Sequence, residues 1–315
     1  MGRNRTATGN IRKHRTLEWL TLVALLASAV VVGTYPFEPG IARGKLEAAV
    51  LDVGQGDSIF VSFPDGRTML IDGGGAAGAE RVGGYQSGID VGEQVVSPYL
   101  WSRGIKKLDV VLLSHAHHDH IDGLRAVLNN FRVGQLWVGR DENAPAYRAL
   151  LAQAVARHVK IVHREQGDNF DWDGVEGKIL WPADPTEAPA AANNDSVVLR
   201  LKDRAIHFLL PGDIEKQVEN ALTQGHDPLA ADFLKVPHHG SKTSSTEVFL
   251  DAVNPRVGVI SVGEDNSYGL PNAETVERYG AKGIRLLQTD QAGAVTASTD
   301  GRTLNVQTFV PAHAQ

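Results

Sequence analysis

Cysteine is absent from the 315-residue chain. Disulfides, thiolate metal ligands and thiol nucleophiles are thereby excluded together, and any metal ion must rest on His, Asp, Glu or Asn. Such nitrogen and oxygen donors suit zinc, manganese or iron. An excess of positive charge is missing too. The formal charge is −6, and the first sixteen residues hold Arg3, Arg5, Arg12, Lys13 and Arg15 with no acid. Setting those five positive charges aside leaves −11 on the remainder. A main domain of that sign does not attract nucleic acid by bulk electrostatics, so a phosphate substrate would need a local basic or metallic site. The compositional signature of disorder is also lacking: 42% apolar and 22% charged residues describe an ordinary globular chain. The 33 Gly and 14 Pro predict short elements joined by many turns. The length suits one large αβ domain or two small ones.

Long apolar runs are rare as well. One stands near the start, LEWLTLVALLASAVVVG over 17–33, interrupted only by Glu18, Thr21 and Ser28. Seventeen residues are at the short edge of a membrane span. The basic tail before it (1–16) and the small residues Ala27-Ser28-Ala29 also fit a secretory signal, and a buried helix of a soluble protein is the third reading. Positive residues ahead of the run place the N-terminus in the cytoplasm and the following domain outside. The expectation is a single transmembrane anchor or signal segment, with the membrane as partner. Residues 34–44, with Pro36, Pro39, Gly40 and Gly44, read as a linker, 45–310 as the main domain and 311–315 as a tail.

Within the main domain, 46–53, 58–63 and 67–72 read as strands, the last two joined by the turn Pro64-Asp65-Gly66. Gly73, Gly74 and Gly75 let the backbone pass close to a neighbour. Residues 76–90 read as irregular, 91–102 as a helix and 108–113 as a buried strand. Helices are predicted over 122–130 and 145–157, strands over 133–138 and 159–163, and a hairpin over 168–181. After a surface loop at 183–193 the same grammar returns. Strands at 196–201, 205–213, 231–239 and 257–262 alternate with helices at 214–223, 245–253 and 272–280, and strands at 284–288, 293–299 and 303–309 close the chain. Two halves, each giving one sheet with helices outside, is the expectation; periodicity alone supports an α/β chain with mixed sheets.

The loop after strand 108–113 reads His115-Ala116-His117-His118-Asp119-His120. Five polar residues in six positions cannot all be core, and strand ends opening into such loops are common seats of chemistry. His115 and His117 can reach one ion, and Asp119 and His120 a second. His118 points elsewhere, as a surface or supporting group, and Gly123 lets the next helix pack close. Asp122 reads as a helix cap or as a support behind a ligand. Asp213 ends another apolar strand, where its carboxylate can bridge two ions or cap the helix that follows. His238 and His239 end a third strand, and one of them closes the second site. Spacing does not separate them, and His238 is preferred. Asp72 ends the third strand facing the same loop and reads as a hydrogen-bonded support.

The loop resembles the HxHxDH signature of the metallo-β-lactamase superfamily. LDVGQGDS, LIDGGG, LLSHAHHDHIDG, NNDSVVL, LLPGDIE and LKVPHHGSKTSS, in this order, are similar to the hydrolase domain of the ComEC/Rec2 competence proteins, over roughly residues 46–309. The resemblance implies a four-layer αββα sandwich and a hydrolase with two divalent ions. Competence proteins of that family also carry a many-span channel and an oligonucleotide-binding-like domain, neither of which is seen here; a stand-alone relative or a fragment is expected. Many superfamily members place a histidine ligand where Asn193 and Asn194 stand, which are then candidates to touch metal or substrate. An amide oxygen is the weaker ligand, and the expectation moves towards manganese, with zinc as the other choice. Asp57 resembles an acidic residue that faces the metal pocket, to orient water or hold a ligand histidine; capping its own turn is the alternative. In similar domains the loop around Asn266, Ser267 and Tyr268 ends in a histidine where Asn272 stands, which argues against assigning a general acid there.

Ser241, Lys242, Ser244 and Ser245 follow the strand-end histidines and read as a phosphate seat, with Lys242 on the phosphate. The expected reaction is hydrolysis by a metal-bound hydroxide held by two ions about 3.5–4 Å apart, with Asp119, Asp213, Lys242 and Asp57 as the catalytic set. The substrate expected is a phosphodiester, single-stranded DNA among the candidates, which makes the protein a phosphodiesterase or nuclease. The alternative is another superfamily hydrolase: a β-lactamase, lactonase or phosphocholine-type esterase. A non-enzymatic binding domain has no need of a bridging carboxylate.

Overall fold

The structure is a computed structural model, and it describes residues 6–34, 38–75, 90–183 and 192–311. Most of the irregular stretch at 76–90, most of the loop at 183–193, part of the linker and nearly all of the C-terminal tail lie outside the described residues. The chain divides into two units, 1–40 and 41–315.

The first unit carries one helix, α1 (Thr6–Thr34). It starts inside the basic tail, eleven residues before the apolar run, because no proline stands between them and Gly9 alone does not break a helix this long. Its segment Arg15–Gly33 has a mean hydropathy of 1.9 and is long and apolar enough to cross a membrane.

The second unit is an αβ/βα sandwich. Its strands are β1 (Leu46–Val50), β2 (Ile59–Ser62), β3 (Thr68–Ile71), β4 (Lys107–Leu112), β5 (Arg132–Val138), β6 (Lys160–His163), β7 (Asn169–Trp172), β8 (Val175–Trp181), β9 (Val198–Asp203), β10 (Ile206–Leu210), β11 (Phe233–Lys235), β12 (Val257–Ile260), β13 (Arg285–Gln288), β14 (Val295–Thr299) and β15 (Leu304–Thr308). The helices are α2 (Ser97–Ser102), α3 (His118–Ile121), α4 (Leu124–Asn130), α5 (Pro145–Ala156), α6 (Lys216–Gln224), α7 (Glu247–Val253), α8 (Ala273–Ala281) and α9 (Thr289–Ala292).

One sheet runs β15-β14-β1-β2-β3-β4-β5-β6 and the other β13-β12-β11-β10-β9-β8-β7. The expectation of one sheet per half is corrected at two places. Strands β14 and β15 return to the first sheet, where β14 pairs antiparallel with β1. The β7–β8 hairpin belongs to the second sheet, through β8 against β9. Alternation of apolar and polar residues names a strand's faces, but not the edge it joins. Each sheet is antiparallel at one end and parallel at the other, the parallel strands being β3 to β6 and β10 to β13.

Three apolar clusters fill the three interfaces of the four layers. Val61, Phe63, Trp137, Phe208 and Phe233 meet between the sheets. Leu100, Leu124, Val127 and Leu150 pack helices on the first sheet, and Val218, Leu222, Phe249 and Tyr279 pack helices on the second. The carboxyl ends of the parallel strands β4, β10 and β11 deliver the loops at 113–123, 211–215 and 236–246 to one edge, where open αβ sheets place their ligands.

Candidate metal centre

The loop after β4 is held by backbone. Asp57 N–H donates to Asp119 O (3.1 Å), Gly73 N–H to His120 O (2.7 Å), and Gly74 N–H to Asp57 O (2.7 Å). Two glycines make this approach possible. A Cβ on Gly56 would lie 2.0 Å from Asp119 O, and one on Gly75 1.9 Å from His118 O, so any side chain there would push the ligand loop away. Helix α3 starts within the histidine motif itself, and α4 follows after Gly123, where one helix over 122–130 was expected.

Side chains then converge on Asp213. Its Oδ2 lies 3.3 Å from His120 Nε2, 3.3 Å from His239 Nε2 and 4.0 Å from His115 Nε2. Asp119 Oδ2 lies 3.4 Å from His239 Nε2. The ligand atoms of His115, His120 and Asp213 fall within 4.8 Å of one another, and so do those of Asp119, His120 and His239. The His117 ring, more exposed, stands 4.6 Å from that of His115 at the rim. His115 Nε2, His239 Nε2, Asp213 Oδ1 and Asp57 Oδ1 are buried with no hydrogen-bond partner. Orphaned buried polar atoms carry a desolvation penalty that a cation removes, so this donor set fits divalent metal.

The protonation states agree. Burial would lower the pKa of His120, but the carboxylates of Asp213, Asp72 and Asp119 outweigh it and raise it well above the usual value. Burial likewise opposes protonation of His239, and Asp213 and Asp57 override it, pushing its pKa up to about 10. Asp213 would be raised by burial, yet His239 and His120 hold it well below the usual range. His115 goes the other way, lowered well below by burial and then by His120. The surrounding carboxylates thus favour the protonated form of His120 and His239, which couples cation binding at these rings to proton release.

Supporting contacts surround this set. Asp72 Oδ2 lies 2.8 Å from His120 Nδ1 and accepts from Ser114 Oγ (2.6 Å), while its Oδ1 accepts from Ser114 N–H (2.7 Å). Ser196 Oγ lies 3.3 Å from His115 Nδ1 and accepts from Asp213 N–H (3.0 Å). Glu142 Oε1 accepts from Ala116 N–H (2.8 Å), between two of the histidines. Asp57, fully buried, is paired with Lys235, its Oδ2 2.8 Å from Nζ. Ser114, Ser196, Glu142 and Lys235 were not singled out in the sequence. Lys235 alone carried a legible signal, a charge inside the apolar segment Phe233-Leu234-Lys235-Val236.

Several expectations are corrected. Strand β11 ends at Lys235, and His238 and His239 lie in the tight turn Pro237–Gly240, both with left-handed backbone (φ 49° and 52°). That turn brings His239 Nε2 within 3.3 Å of Asp213, whereas His238 Nδ1 lies 3.4 Å from Glu215 Oε1; of the two, it is His239 that meets the carboxylate cluster. Asp122 is exposed, and the side chain it meets among the described residues is that of His118, at 3.1 Å, not a histidine of the cluster. Asn194 Oδ1 accepts from Glu215 N–H (2.9 Å), a fold contact, whereas Asn193 faces His238 (3.4 Å) with its own Oδ1 buried and unpartnered. Ser244 and Ser245 are buried, their hydroxyls on Pro237 O (3.0 Å) and Tyr279 Oη (3.0 Å). The N–H groups of Ser245 and Thr246 are taken by Glu219, at 2.5 and 2.8 Å, which closes them to phosphate. Lys242 stays exposed and Ser241 half-buried. Asn272 caps α8, accepting from Glu274 N–H (3.1 Å).

The sequence matches the family model of the metallo-beta-lactamase superfamily over residues 51–264. The chain belongs to this superfamily. Family and ligand cluster together make it a metal-dependent hydrolase. It is similar to ComE operon protein 3 of Bacillus subtilis (strain 168), 34% identical over 79% of this chain and 32% of that protein. Competence protein ComA of Neisseria gonorrhoeae is 32% identical over 85% of this chain and 35% of that protein. The chain spans about a third of the length of these relatives. Among solved structures, CmlA, a diiron beta-hydroxylase from Streptomyces venezuelae, shares the fold with a TM-score of 0.50 at 13% identity, over 81% of this chain and 54% of that one.

Proposed function

We propose that this superfamily hydrolase cleaves an ester or amide bond with two divalent ions held by His115, His117, Asp119, His120, Asp213 and His239. The observation that carries the reading is the convergence of three histidine Nε2 atoms on one oxygen of Asp213, with that residue's other oxygen left unpartnered. An oxygen so placed suits a carboxylate shared by two ions. The ions, when bound, supply Lewis acidity and water activation. The chain's own residues fix the donors. Asp72 orients His120, Ser196 joins His115 to Asp213, and Glu142 pins the loop between His115 and His117.

On substrate, the wider reading has the better support: a hydrolase of the superfamily acting on a β-lactam, lactone, phosphocholine-type ester or phosphodiester. The fold hosts diverse reactions, and Glu219 takes the backbone N–H groups of Ser245 and Thr246 beside the expected phosphate seat. The narrower reading, a phosphodiesterase or nuclease with manganese or zinc, rests on exposed Lys242, three residues after His239 in the chain, and on similarity to competence proteins.

Rates on bis-p-nitrophenyl phosphate, single-stranded DNA, a β-lactam and a lactone, after chelation and reloading with each metal, test both. Asp119→Asn removes nearly all turnover and leaves the fold, since a charge is lost and volume kept. On the narrower reading Lys242→Ala keeps metal content and lowers kcat/KM on phosphodiesters about ten- to a hundredfold, one charge-assisted contact of roughly 1.5–3 kcal/mol. Equal rates for wild type and Asp119→Asn would exclude this cluster as the catalyst. Lactone or β-lactam turnover without phosphodiester turnover selects the wider reading.

A further inference from the structure

Four carboxylates, Asp57, Asp72, Asp119 and Asp213, gather at the cluster, and among the described residues Lys235 is the one fully buried lysine or arginine. Its side chain is 0% exposed. Nζ donates to Asp57 Oδ2 (2.8 Å) and to Val236 O (3.0 Å). Asp57 in turn stands behind His239, its Oδ1 3.5 Å from Nδ1 and without a hydrogen-bond partner. His239 Nδ1 instead donates to the neutral carbonyl of Ser261 (2.8 Å).

The two central histidines are therefore backed differently. His120 has a carboxylate at 2.8 Å, which raises the basicity of a ligand imidazole. His239 has a carbonyl, with a carboxylate held just out of reach by Lys235. We infer that Lys235 is a positioning and charge-balancing residue: it stabilises the metal-free fold by neutralising Asp57, and weakens cation binding on the His239 side by withholding that carboxylate and adding a positive charge.

The inference rests on the metal-binding reading above but makes an opposite forecast from a merely structural lysine, whose loss would loosen the site and weaken the metal. The test is equilibrium competition of Mn²⁺ and Zn²⁺ against a chromophoric chelator, with thermal midpoints of chelated protein alongside. Lys235→Met, which keeps the stem, should lower the chelated midpoint and yet bind the second equivalent at least about tenfold more tightly. The double variant Asp57→Asn/Lys235→Met should recover the midpoint and lose the gain. Asp57→Asn alone should bind the second equivalent at least about tenfold more weakly, and it decides the matter if Lys235→Met does not fold. Unchanged or weaker binding by folded Lys235→Met, or unchanged binding by Asp57→Asn, overturns the inference. Failure of wild type to bind metal would instead overturn the parent reading.

Discussion

At the scale of the residue, the adjacent histidines 238 and 239 show how backbone conformation outranks spacing. Both adopt positive φ, an arrangement that non-glycine residues enter only when their surroundings enforce it. The result turns one ring towards Asp213 and the other towards Glu215, Thr243 and Asn193. His239→Ala should lower the metal content of reloaded protein from two to about one per chain, because a donor within 3.3 Å of Asp213 is removed. His238→Ala should keep two. Elemental analysis after gel filtration checks both, and equal losses in the two variants would contradict the assignment. The His115–His120 motif was legible because so many polar side chains in so few positions have no other use. The choice within the His238–His239 pair was not, since it depends on a turn that no propensity reports.

The element scale is where the proposed phosphate seat was lost. The run Ser241 to Thr246 reads as a helix start rich in hydroxyls, and its true cap is Thr246, which accepts from Phe249 N–H (3.3 Å). Glu219 on α6 reaches across to the first free N–H groups, its carboxylate buried and its pKa raised by that burial. A buried carboxylate tying α6 to α7 is a fold contact. Glu219→Gln replaces one acceptor with a donor facing an N–H, and should cost about 1–3 kcal/mol of stability. Metal content should stay at the wild-type level. Urea unfolding gives the first quantity and elemental analysis the second; a stable variant that loses metal would place Glu219 in the site instead.

At the scale of the whole molecule, the apolar segment Arg15–Gly33 and the basic residues before it support our proposal that the hydrolase domain is exported or membrane-anchored. A reporter that functions only outside the cytoplasm, fused after Gly44, should be active. A cytoplasmic, fully soluble fusion would end that reading.

Several features were determined by the sequence itself. The absence of cysteine confined any metal to nitrogen and oxygen donors. The strand-then-histidine order placed the ligand loop at a strand end, and Gly73, Gly74 and Gly75 announced contacts closer than a Cβ permits. These are local facts, fixed by residue type and chain connectivity. The tertiary structure alone decided that β14 and β15 close the first sheet, that His239 and not His238 faces Asp213, and that Glu219 fills the start of α7. It also buried Lys235 against Asp57, two residues 178 positions apart. Each of these depends on which groups are left unsatisfied once the sheets have packed, and that balance of burial against pairing is settled only when distant parts of the chain meet.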